Sequence, residues 1–159
     1  MPPHEFLTLL RQERSTFERF LDILQDEQAA LVKGEIDRLT DIAQTKSGLV
    51  VELTRLAESR NHFLSSQGLP ANKEGMTTWL NRQAAATETQ DIETIWNDLL
   101  RIGASARLAN ETNGKMIELK LQHNQQALAV LTSAANQTTL YGPDGQHLSG
   151  AAGRHRDKV

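Results

Sequence analysis

One segment, Thr89 to Gln137, sets the limits on what this chain can fold into. Continuous as an α-helix at ~1.5 Å per residue, it is on the order of 70 Å long, beyond the diameter of a compact domain of this size. The sequence therefore predicts an elongated molecule. At about 100° per residue from Ile117, one stripe of the segment carries Ile92, Ile95, Leu99, Ile102, Ala106, Ile117, Leu121, Leu128, Leu131 and Ala135. This is a helix with a sustained apolar seam, expected to bury itself against the protein's own helices. Asn110, Asn113 and Asn124 fall on the same stripe, and read as core asparagines that fix register by pairing across a helix interface.

The opposite side carries a second pattern. Leu108, Leu119 and Val130 recur every eleven residues at the reverse of the seam, flanked by Ala109, Met116, Ala127 and Ala134. Eleven residues is close to three helical turns, so these side chains line up. A second apolar strip needs another partner: a further helix of the same chain, a second subunit in a weak homodimer, or a client segment.

Helix formers dominate the rest, and no run of β-branched residues alternates with polar ones over a strand length, so the expected class is all-α. At 159 residues with 38% hydrophobic content the chain can bury a core, yet only 4% is aromatic. The net charge of −3, with Lys and Arg scattered, leaves no footprint for a phosphate backbone, which argues against nucleic acid as a partner. There is no cysteine for a disulfide or thiol nucleophile. Met1-Pro2-Pro3-His4-Glu5 lacks the pattern of a signal peptide and no apolar run can cross a bilayer, so the expected location is cytoplasmic, without stable membrane insertion.

In chain order, Pro2 and Pro3 suit a helix start. Leu10, Phe17, Leu24 and Leu31 then recur at sevens, with Phe6, Leu7, Phe20 and Leu21 beside them, predicting a first helix over 4–32 that Lys33-Gly34 closes. Ile42, Leu49, Leu56 and Phe63 predict a second over 36–66, widened by Leu39, Val50, Leu53 and Leu64. The short connection makes the two antiparallel. Lys46 and Arg60 lie near the second seam and read as snorkelling, stems on apolar surface and charge in water. After a loop at Gln67-Gly68-Leu69-Pro70-Ala71-Asn72, Met76, Trp79 and Leu80, extending to Ala84, form a short helix, with Trp79 and Trp96 as core anchors. Thr87 and Gln90 read as a capping box opening the long helix. Gly103 and Gly114, inside it, mark either a kink or close helix contact. The architecture is an elongated antiparallel bundle or coiled coil of three main helices and one short helix over 1–139. A flexible tail follows over 140–159, opening with a Gly142-Pro143-Asp144-Gly145 turn. Tyr141, where order is expected to end, is either a docking handle or packed back on the helix end.

Catalytic chemistry is not written here. His4, His62, His123, His147 and His155 are too far apart to form a helix-borne metal pair, and no cofactor is implied. Nucleophile-elbow and phosphate-binding glycine motifs are absent, and the Asp and Glu residues lie mostly on polar faces. Asn110-Glu111-Thr112 and Asn136-Gln137-Thr138 match the glycosylation sequon by chance on this reading.

Three runs in the last third carry a resemblance: Asn110-Glu111-Thr112-Asn113-Gly114-Lys115-Met116-Ile117; then Asn124 and Leu128; then Leu140-Tyr141-Gly142-Pro143-Asp144-Gly145-Gln146. With the order of helices, they resemble the FlgN family of flagellar type III export chaperones. The resemblance implies a cytosolic bacterial protein that binds hook-associated proteins of the hook–filament junction, prevents their premature assembly and delivers them to the flagellar export gate. It also places client binding in the C-terminal part. Leu108, Met116, Leu119, Val130, Leu140 and Tyr141 are accordingly the candidate partner-binding residues. The rival reading is a coiled-coil adaptor or scaffold that oligomerises through the same strip and carries no client.

Overall fold

The computed structural model describes residues 1–140, with side chains through residue 135. Among the described residues there are four helices and no strand: α1 (Pro3–Lys33), α2 (Ile36–Ser66), α3 (Lys73–Arg82) and α4 (Thr87–Leu140). The chain divides into two compact units, Met1–Gly114 and Lys115–Val159.

In the first unit, α1 and α2 form an antiparallel hairpin. Gly34 adopts the left-handed conformation (φ 71°) at the end of α1, and its N–H and that of Glu35 donate to the Leu31 and Ala30 carbonyls. The heptads sort as expected: Leu10, Leu24 and Leu31 of α1 are buried with Ile42, Leu49, Leu56 and Phe63 of α2. Val50 is the exception, lying exposed instead of widening the α2 seam. A larger cluster joins Phe6, Leu10, Leu56, Phe63, Met76, Trp79, Ile92, Trp96 and Leu99 from all four helices. Phe6, Phe63 and Trp79 meet there as ring neighbours, 4.2 to 5.6 Å between centroids. Both tryptophans are buried, as expected of anchors.

The α2–α3 connection depends on a close backbone approach. The Asn72 side chain caps α3 by accepting from the Gly75 N–H at 2.8 Å. A Cβ at Gly75 would lie 1.8 Å from the Pro70 carbonyl oxygen, so this turn admits only glycine. α3 ends at Arg82, leaving Ala84 exposed in the turn that follows. The expected Thr87 capping box is replaced by a different arrangement. Thr87 is already helical, and the Thr89 hydroxyl fastens the start of α4 by donating to the Gln83 carbonyl at 2.7 Å.

Two polar layers tie α4 to the hairpin. In the first, Arg60 of α2 donates to Oε1 of Glu13 on α1 and stacks 5.1 Å from the centroid of the Trp96 ring on α4. In the second, Glu27 of α1 accepts from Lys46 of α2 at 3.1 Å and from Nδ2 of Asn113 on α4 at 3.0 Å. Asn113 Nδ2 also donates to the Leu24 carbonyl at 2.8 Å. Lys46 and Arg60 are therefore held in ion pairs with buried carboxylates instead of snorkelling to water. Arg14 adds a further tie to α4 through Asp98 at 3.1 Å.

The seam of α4 is covered for only part of its length. Ile92, Ile95, Leu99, Ile102, Ala106 and Asn113 are buried, whereas Ile117, Leu121, Leu128 and Leu131 are exposed, as are Asn110 and Asn124. The expectation that the protein's own helices bury the whole seam is thus corrected. Gly103 and Gly114 do not serve close contact, since a Cβ at either would meet nothing within 4 Å.

Candidate functional site

The described part of the second unit is the last stretch of α4, and its surface is dominated by apolar side chains in a helix with few charges. After Lys120 no Asp, Glu, Lys or Arg occurs through Leu140. Over 115–135, Ile117, Leu121, Leu128 and Leu131 occupy one face, 46 to 68% exposed. Leu119 and Val130 occupy roughly the reverse face, 64% and 68% exposed. In the first unit Leu108 is 65% exposed. A single exposed leucine is unremarkable, but here six large apolar residues are exposed within fifteen positions, a density that makes this stretch the candidate site.

Of the candidate partner-binding residues, Leu108, Leu119 and Val130 stand open to solvent and Met116 is half-buried. Leu140 is the last residue of α4, with its side chain undescribed; Tyr141 and the Gly142–Gly145 turn lie outside the described residues. The seam residues Ile117, Leu121, Leu128 and Leu131, expected from periodicity to be buried, are exposed as well. Spacings of four and three from Ile117 through Leu121, Asn124, Leu128 and Leu131 mark that side as a heptad seam, but spacing alone does not say whether a helix covers it.

The chemistry this surface supports is association by burial of apolar area. Among the described residues no group of three or more His, Cys, Asp or Glu could hold a metal ion, and no helix is long and apolar enough to cross a membrane. In the first unit, desolvation pushes the buried Glu13 carboxyl above its ordinary value, and Arg60 offsets only part of that.

Among the described residues these features define an all-α helical protein with exposed apolar side chains on its longest helix. Its sequence places it more narrowly: a family model described as FlgN protein matches residues 1–149, and the chain belongs to that family. Among curated relatives, the flagella synthesis protein FlgN of Yersinia enterocolitica is 30% identical over 147 residues, covering 91% of this chain and 90% of the relative. The protein of the same name from Salmonella typhimurium is 28% identical over 140 residues, covering 87% and 86% respectively. No solved structure matches. Family and relatives together give the chain a role in flagellar synthesis.

Proposed function

We propose that the protein is a cytosolic, non-enzymatic export chaperone that binds hook-associated proteins of the hook–filament junction, holds them from premature assembly and delivers them to the export gate. The observation that carries this reading is the run of exposed apolar side chains on α4 from Ile117 through Leu131. A client's amphipathic terminal segment folds onto this surface as a helix, and burial of its apolar stripe drives binding. The ordering cost of that segment keeps the affinity moderate enough for release. Family membership and the relatives' role in flagellar synthesis support the assignment.

The test is a double substitution, Met116→Glu with Leu119→Glu. Binding of a hook-associated protein, followed by calorimetry, is expected to be lost while the helical circular dichroism signal and melting midpoint hold. Loss of the helical signal would instead make the strip part of the core and remove the assignment.

A second reading, a homo-oligomeric scaffold without a client, is favoured by one feature. Ile117, Leu121, Asn124, Leu128 and Leu131 form an exposed heptad seam with a single asparagine, the pattern of a register-fixed coiled coil. Sedimentation separates the two. A concentration-independent monomer that gains mass only with a hook-associated protein supports the chaperone, and a stable homodimer supports the scaffold.

A further inference from the structure

Within the first unit, α1, α2 and α4 line a half-open cleft of about 480 Å³ that the client surface does not include. Its apolar lining comes from Phe17 and Phe20 of α1, Leu53 of α2 and Leu100 of α4. At its base lies Glu13, 1% exposed, with Oε1 bonded to Arg60 and Oε2 without any hydrogen-bond partner. A buried carboxylate oxygen lacking a donor is costly, and such an atom calls for a completing water, ion or further donor. Among the exposed lining residues, Lys73 and Arg107 form no ion pair among the described residues. Gly103 also lines the cleft, and a Cβ there meets nothing within 4 Å, so the wall opposite the hairpin is open at that point.

We propose that this cleft receives a helical segment of a partner protein whose apolar stripe is flanked by acidic residues and carries one hydrogen-bond donor at its centre. The stripe fills the space beside Phe17, Phe20 and Leu100, and its acidic flanks meet Lys73 and Arg107. The central donor completes Glu13 Oε2. The exposed stretch 115–135 of a second copy of this chain does not match that description, since it carries Lys115, Glu118 and Lys120 and no further acid. Charge complementarity therefore selects an acidic partner helix.

The test uses the full chain and two synthetic helical peptides sharing a leucine stripe with one central asparagine, one flanked by glutamates and the other by lysines. Binding is read from intrinsic tryptophan fluorescence, since Trp96 lines the cleft. The glutamate peptide is expected to bind at least tenfold more tightly than the lysine peptide. Gly103→Phe, which fills the cleft, should weaken it at least tenfold with the helical signal retained. Lys73→Glu with Arg107→Glu, both at exposed positions, should reverse the preference independently of how Gly103→Phe folds. Binding must persist in the Met116→Glu, Leu119→Glu variant, which separates this cleft from the client surface. Equal binding of the two peptides, binding of neither, indifference to Gly103→Phe and to the charge reversal, or loss in the Met116, Leu119 variant would each overturn the proposal.

Discussion

Asn113 is the residue through which α4 is held in register, because one amide nitrogen donates both to the Leu24 carbonyl and to the Glu27 carboxylate of α1. Asn113→Ala leaves Glu27 with Lys46 alone and is expected to cost about 1–3 kcal/mol, the range for deleting a buried hydrogen-bonding group. A urea titration checks this through a lowered midpoint. Glu13 gives a pH signature. Its folded carboxyl holds a proton to higher pH than the unfolded one, whose ordinary value is 4.5. Its stabilising contribution is therefore full below that value and is lost as pH rises through the folded value. Glu13→Gln keeps a partner for Arg60 and cannot ionise, so its melting temperature should fall less than that of the natural protein from pH 4.5 toward neutrality. A parallel decline in both proteins would assign the pH dependence to other groups. Neither layer was legible in the sequence. The partners are 47 residues apart in Glu13–Arg60 and 86 in Glu27–Asn113, and spacing within one helix says nothing about which charge on another will meet it. Asn113 was readable as a buried register residue; its partners on α1 were not.

At the scale of elements, the two hairpin helices were plain in the chain because heptad leucines and Phe63 on one face leave few other ways to bury them. The α2–α3 turn was harder, since the need for Gly75 arises from the Pro70 carbonyl, a backbone contact that composition does not record. Gly75→Ala is expected to displace that turn and lower the thermal midpoint. Gly114→Ala tests the opposite situation: a helical glycine with open space at its Cβ should gain about 1 kcal/mol on replacement, measured by urea unfolding. The long helix shows the limit of periodicity most clearly. Angle correctly grouped Ile102 with Ile117, yet one is buried and the other 46% exposed, because a shared face does not decide whether a neighbouring helix reaches it.

For the whole molecule, the proposed chaperone role requires that the apolar surface of α4 be open in the isolated chain and become covered when a hook-associated protein binds. The absence of cysteine from the natural sequence allows a direct measurement. Single cysteines are placed at Leu119, Val130, Leu121 and Leu128 in otherwise unaltered protein, and the rate of thiol labelling is followed with and without a purified hook-associated protein. The account predicts rapid labelling at all four sites in the isolated chain and at least tenfold slowing on one or both faces when the client is added. Slow labelling in the isolated chain, or rates that the hook-associated protein leaves unchanged at every site, would contradict it.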